Sequence, residues 1–423
     1  MIGHRGDDGC TRMNTCAWIG AAAFFAGIPD AVVVTAGPGC CDHYAFWYLE
    51  HSCPGAGARF YRLQGDRPGL EEGLPEVLQF IRENVRPSVL VIGNGCSAGP
   101  GGDVIAGNVR RSELSCPVIF IDGHGLTGGF GAGYRAAAAA YWEAVPPQRQ
   151  RIKLPNTVNL LGCTLGYYNA VNDIRELRRM LNLAGHQVMA CPGAGSSVQE
   201  IAALAQAELN LVVHAELGGD LAQYLWREYG IPYLVLTPPY GIEGSLNWLK
   251  ALWMDDASLQ VVQREADSVS RQLCAATLDM QKLWGELWFE RTLIAAPASV
   301  AFGMAQTLRS EWADTGPLTV VIHDGLPPDP LPDDLEAVLD GRNDEKAVER
   351  QLAGLAAGLL LASNREKSML RYQAVPDVLC QNIALPVFDE IILGNRPFMG
   401  LRGAWHMTER LWNQYISFCQ RSR

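Results

Sequence analysis

Short apolar runs alternate with amphipathic stretches along almost the whole chain, and that alternation predicts an α/β protein built on mostly parallel sheets. Ala31-Val32-Val33-Val34-Thr35 and Ser88-Val89-Leu90-Val91-Ile92 read as buried strands, with Pro117-Val118-Ile119-Phe120-Ile121 as a third. Between the first two, Pro75 opens a helix with Leu74, Val77, Leu78 and Ile81 on one face. After the third come a glycine-rich run, Gly123 to Gly133, and a helix containing Ala136 to Ala140. Pro146-Pro147-Gln148-Arg149-Gln150-Arg151 interrupts the pattern, which predicts a first unit over residues 1–150. A second α/β unit, 151–290, holds strands at 157–161, 187–190, 209–213 and 233–236, and helices at 173–184, 197–207 and 220–229. Gly185 and Gly230 fall where left-handed helix caps belong. A long helical stretch from 245 to 290 leads into a third unit, 291–423, with strands at 292–295 and 318–322. Residues 324–344, rich in Pro and Asp, predict an exposed loop. The last element, 405–417, is an amphipathic helix carrying Leu411, Trp412, Tyr415 and Ile416, and it needs a surface to cover it.

With 423 residues, 48% of them hydrophobic, the chain can bury a large core in two or three domains. A net charge of −11 with dispersed Lys and Arg argues against nucleic acid or an anionic membrane as partner. No apolar run reaches the roughly 18 residues of a spanning helix, and Met1-Ile2-Gly3-His4-Arg5 lacks an export signal's apolar segment. Twelve cysteines in that context point to reduced thiols in the cytoplasm rather than a disulfide framework.

Three of those cysteines have distinctive settings. Cys16 stands in Asn14-Thr15-Cys16-Ala17-Trp18-Ile19-Gly20-Ala21, Cys41 in Gly37-Pro38-Gly39-Cys40-Cys41-Asp42-His43-Tyr44, and Cys96 in Asn94-Gly95-Cys96-Ser97-Ala98-Gly99-Pro100-Gly101-Gly102-Asp103. They are too far apart for a zinc knuckle and one short of the four thiolates of a cubane, so they suggest an iron–sulfur cluster completed from outside the chain. Cys41 and Cys96 follow strands, where such folds place their ligands. Gly37, Gly39, Gly95 and Gly99 offer backbone N–H groups to an anionic core. The spacing equally accommodates three buried thiols in a glycine-rich domain. Cys116, Cys163, Cys191, Cys274, Cys380 and Cys419 read as structural thiols, while Cys10, Cys40 and Cys53 lie near the candidate site with no assigned role.

The run Gly123-x-Gly125-x-x-Gly128 follows a strand and precedes a helix, as a dinucleotide motif does, but no acidic residue closes a second strand about 20 residues on. Loop geometry is the reading preferred. No Walker phosphate loop is present. His214 ends a strand and is either a ligand facing a cleft or, more commonly, a hydrogen-bonded strand-end histidine. His43, His51, His124 and His323 sit near loops or strand exits without deciding spacing.

Taken together, the motifs resemble the nitrogenase component 1 family over nearly the whole length. Cys16 with Gly20-Ala21, Gly37-x-x-Cys40-Cys41-x-x-Tyr44, and Cys96 with Gly102-Asp103 resemble its three cluster-ligand motifs in order. Val158-Asn159-Leu160-Leu161-Gly162 and the helix Asp173 to Arg179 resemble the opening of its second domain, while Leu385-Pro386-Val387-Phe388-Asp389 and Pro397 to Ala404 resemble β-type subunits. The resemblance implies three Rossmann-like domains with the carboxyl-terminal helix packing back on the first. It implies Cys16, Cys41 and Cys96 as metal ligands of an [8Fe–7S]-type cluster shared with an α-like subunit, usually in an α2β2 assembly, with an ATP-dependent iron-protein reductase as transient electron donor. Where α-type subunits carry a cysteine for the catalytic metallocofactor, this chain has His214, and their histidine ligand in the third domain has no counterpart before Pro397. The resemblance therefore implies a β-like electron-relay subunit of a nitrogenase-like reductase, with catalysis in the partner. Methylthio-alkane reductases and tetrapyrrole reductases are the enzyme types considered. A cofactor-assembly scaffold, a homodimer bridged by one [4Fe–4S] cluster and a metal-free binding protein are the alternatives.

Overall fold

The computed structural model describes residues 16–36, 45, 47–50, 53, 60–62, 73–94, 102–123, 126–149 and 152–421. Three open, parallel sheets carry the fold, each drawn from one stretch of chain. The first contains β1 (Ala31–Ala36), β2 (Phe60–Arg62), β3 (Val89–Asn94) and β4 (Val118–Asp122) in the order β2-β1-β3-β4. The second contains β5 (Leu154–Leu161), β6 (Gln187–Ala190), β7 (Ala207–Val212) and β8 (Tyr233–Val235) in the order β6-β5-β7-β8. In the third unit a two-residue ladder joins β9 (Trp288–Phe289) to β11 (Asp314–Thr315). Its main sheet contains β10 (Thr292–Ala296), β12 (Leu318–Ile322), β13 (Ala337–Asp340), β14 (Leu359–Ala362) and β15 (Leu379–Asn382), ordered β13-β12-β10-β14-β15.

The β-branched runs explain why these strands are central. In the first sheet Val33, Val91 and Ile121 face one core, while Val32, Val34, Leu90 and Ile92 face another that includes Leu74, Leu78, Ile81 and Ile105. Helix Ala17–Ala26 is buried along its whole length. It lies against helix Phe130–Ala144 so closely that a Cβ at Gly20 would overlap the Phe130 carbonyl, and one at Gly133 the Ala17 carbonyl. Within the glycine run, Gly133 thus serves close approach between helices, while Gly128, at φ +87°, serves the loop before them.

Three sequence expectations need correction. The helical stretch 245–290 is broken: Gly241–Lys250 ends before Asp255, whose side chain accepts from Ser258 N at 2.7 Å and starts Asp256–Trp284. The loop 324–344 is irregular as far as 336, but Ala337-Val338-Leu339 then adds an edge strand beside β12, three apolar residues being too few to show a period. Among the described residues, the final helix, Gly400–Arg421, has its main packing away from the first unit. It packs on helices Ala170–Leu183, Gly241–Lys250 and Asp256–Trp284 of the second unit and on β15.

Two buried carboxylates fix that docking. Asp173 accepts from Phe398 N at 2.6 Å and Met399 N at 2.9 Å. Glu176 accepts from Arg402 N at 3.2 Å and is clamped by Arg179 at 2.7 and 2.8 Å. Asp173→Ala leaves two amides unpaired and is expected to cost about 1–3 kcal/mol for each in urea unfolding. Asp173→Asn, which keeps the accepting oxygen, is expected to lose much less; equal losses would contradict the role given to that oxygen.

Candidate functional site

Parallel register brings the strands that lead into the candidate segments to end at one edge of the first sheet. β1 and β3 are neighbours with Ala36 opposite Asn94, and β3 and β4 are neighbours with Asn94 opposite Asp122. The chain therefore leaves β1 toward Cys41, β3 toward Cys96 and β4 toward Gly129 from three adjacent strands. Cys16 reaches the same rim from the other direction, forming an isolated antiparallel bridge with Gly129. Trp18 locks this arrangement, since its indole occupies the space a side chain at Gly93 would need. Downstream of Cys41, Tyr48 packs on Phe130 with ring centroids 6.4 Å apart.

Cys16 is partly buried and immediately precedes helix Ala17–Ala26. Helices Gly102–Arg111 and Phe130–Ala144 begin at the same rim, following β3 and β4. Three helix amino termini therefore face one edge, an arrangement that favours negative charge there. Cys41, Cys96, Gly37, Gly39, Gly95 and Gly99 lie outside the described residues, as do Cys10, Cys40, His43, His51 and His124. Among the described residues no three His, Cys, Asp or Glu side chains are grouped to hold a metal ion. The donor chemistry nevertheless fits a cluster: one thiol stands on the rim, and the strand ends and helix starts that flank the other two converge beside it. Cys163 and Cys191 are buried in the second unit, and their mutual hydrogen bond, with burial, pushes the Cys163 thiol well up.

A second feature, to which no sequence motif points, is a polar network where the three units meet. It borders a small cleft of about 50 Å3 whose lining includes Phe130, Tyr167, His214, His323 and Asp324. Glu216 accepts from Tyr167 Oη at 3.1 Å and Ser299 Oγ at 2.8 Å. His214 Nδ1 meets the same Ser299 hydroxyl at 2.7 Å, and its ring stands edge-on to Tyr167. His214 is thus a hydrogen-bonded strand-end residue that also lines the cleft. His323 Nε2 pairs with Glu366 at 3.0 Å. The Asp324 carboxylate accepts from Gly131 N, tying the third unit to the start of the first unit's helix. Nothing in sequence spacing links residues 131 and 324, so this contact is illegible without the fold.

Burial raises the Glu216 carboxyl from 4.5 to about 7. A carboxyl whose folded value is raised stabilises the fold while protonated; its contribution is full below about pH 4.5 and lost as pH climbs to about 7. Glutamine at 216 never ionises. The melting temperature of Glu216→Gln minus that of the parent is therefore expected to grow between about pH 5 and about pH 8. Burial holds His214 neutral down to about pH 3 in both proteins, so it cancels in the difference. Parallel pH curves would contradict the assignment.

No helix among the described residues is long and apolar enough to cross a membrane. The chain is 28% identical over 363 residues to the B subunit of light-independent protochlorophyllide reductase from Chloroflexus aurantiacus, covering 78% of this chain and 62% of that protein. The corresponding proteins of Prosthecochloris aestuarii (23% over 379 residues, 81% and 66% covered) and Zygnema circumcarinatum (27% over 290 residues, 63% and 53%) are also similar. The chain thus spans less than two thirds of the length of these relatives. In fold it is similar to the solved structures "Nitrogenase Cp1 at pH 6.5" (TM-score 0.74, 15% identity, 100% of this chain and 96% of that one) and "Nitrogenase Cp1 at pH 5" (0.75, 18%, 99% and 90%). The family described as nitrogenase component 1 type oxidoreductase matches residues 16–416, and with the parallel sheets and the converging rim this establishes that the chain belongs to that oxidoreductase family.

Proposed function

We propose that this chain is the β-type, electron-relaying subunit of a nitrogenase-like reductase. Cys16, Cys41 and Cys96 hold one side of an iron–sulfur cluster, of the [8Fe–7S] type or, as the alternative, [4Fe–4S]. An α-like subunit completes it in an α2β2 assembly. The observation that carries this reading is that the strands leading to Cys41 and Cys96 end side by side at the edge of the first sheet where Cys16 is bridged to Gly129 and Trp18 is seated on Gly93. When bound, such a cluster supplies storage and transfer of single electrons. The chain's own part is to present thiolates, to stabilise negative charge with three helix amino termini, and to offer the N–H groups of Gly37, Gly39, Gly95 and Gly99 to the sulfides. His214 takes the place of a catalytic-cofactor thiol and is committed to Ser299, which supports catalysis residing in the partner.

An ATP-dependent iron-protein reductase is the electron donor in this reading, and the cytoplasm is the compartment in which its thiols stay reduced. The names of the similar B subunits favour a tetrapyrrole as the partner's substrate over a methylthio-alkane. A cofactor-assembly scaffold with the same cluster is the second reading, supported by the same rim. Anaerobic co-purification with the native partner, followed by iron and sulfide analysis and native mass measurement, tests the proposal. A heteromer carrying several irons for each chain is expected. A monomer, or a complex free of sulfide, overturns it, and loaded protein that turns over no substrate with its reductase favours the scaffold.

A further inference from the structure

We infer that Asn94 is the positioning residue of this rim: its side-chain amide couples the loop carrying Cys96 to the segment that holds Cys16. The inference rests on the cluster assignment proposed above. Asn94 is the last residue of β3, is fully buried, and stands two residues before Cys96. Its Nδ2 donates to Asp122 Oδ1 at 3.0 Å, and its Oδ1 accepts from Gly123 N at 2.5 Å. Because a backbone N–H can only donate, the Gly123 contact fixes which end of the amide is oxygen. Asp122 ends β4, and Gly123 begins the loop that runs to Gly129, the bridge partner of Cys16. The connection therefore runs from the Cys96 loop through Asn94 to Gly123, along the loop to Gly129, and across to Cys16. On the adjacent residue, Trp18 seated on Gly93 closes it from the other side.

The chemistry of the position is narrow. A polar side chain buried beneath a sheet edge costs stability unless both ends are paired, and an amide is the neutral group of this size that donates and accepts at once. Leucine at 94 would take a partner from both Asp122 and Gly123 N; aspartate would set two carboxylates side by side, one of which must hold a proton or repel the other. Residues that orient ligands without touching the metal govern how long the metal stays, with losses of about 10–100-fold when they are removed.

The test compares Asn94→Ala, Asn94→Asp and the exchange Asn94→Asp/Asp122→Asn in the anaerobically purified complex. In the exchange, the new carboxylate at 94 accepts from the new amide at 122 and from Gly123 N, so the network and its charge are restored with the two side chains swapped. Iron release to a ferrous chelator, the EPR line shape of the reduced complex and the melting temperature are read for each. Both single variants are expected to release iron about ten-fold faster, with a broadened or altered EPR signal, and the exchange to return near the parent on both. If Asn94→Ala does not accumulate, Asn94→Asp against the exchange carries the comparison. Release rates equal to the parent's in the single variants, or an exchange that recovers melting temperature and not iron retention, overturn the inference alone. An iron-free parent overturns the proposed function, and the inference with it.

Discussion

Gly20→Ala is expected to destabilise the protein by roughly 3 kcal/mol or more, a large effect for one methyl group. The added Cβ meets the Phe130 carbonyl and the Tyr134 amide, both backbone atoms of a buried helix, so no side chain can turn aside. Relief requires helices 17–26 and 130–144 to separate, and these helices begin at Cys16 and Gly129, the two residues bridged at the rim. The same substitution is therefore expected to lower iron content as well as melting temperature. Gly219→Ala is the control. It lies within helix Ala215–Tyr229 with nothing inside 4 Å of the new Cβ, and a neutral or slightly stabilising result is expected. Similar melting temperatures for the two variants would contradict the packing described for the first unit.

The second large effect concerns the thiols. Alanine at Cys16, Cys41 or Cys96 is expected to reduce iron and sulfide to background in the purified complex, because in the proposed assignment each removes one of the cluster's thiolates. Alanine at Cys163 or Cys191 is expected to retain iron while costing stability, since both thiols are buried in the second unit's core and replacing them leaves a cavity. Iron lost from Cys163→Ala, or kept in Cys16→Ala, would reverse the division between ligating and structural cysteines. Measuring iron beside the unfolding midpoint separates loss of a ligand from loss of the fold.

Much of this architecture is legible in the sequence because buried parallel strands declare themselves. Runs such as Val32-Val33-Val34 or Val89-Leu90-Val91-Ile92 are too short and too β-branched to be helices, and the nine strands expected all form, within a few residues. Strands β13, β14 and β15 are not legible because, with four residues each, they offer a single β-branched side chain among them, Val338. The last helix packs away from its expected surface for a different reason. Its amphipathic face specifies that something must cover it, whereas the choice of cover depends on Asp173 and Glu176, more than 220 residues earlier. The site divides the same way. Glycine-flanked cysteines after strands point to ligand loops, and register then shows why Ala36 and Asn94 release them side by side. The amide of Asn94 and the tie from Asp324 to Gly131 arise only when distant strands and helices meet.

The central claim is spatial: inorganic iron sits beyond the carboxyl ends of β1 and β3, beside the sulfur of Cys16. Crystals of the anaerobically purified complex, with data collected on both sides of the iron absorption edge, locate it directly. The account predicts a compact group of anomalous peaks at that rim, within bonding distance of Cys16, Cys41 and Cys96 and reaching the partner subunit. Iron found only elsewhere, or three sulfurs of these cysteines facing protein with no peak between them, would contradict it.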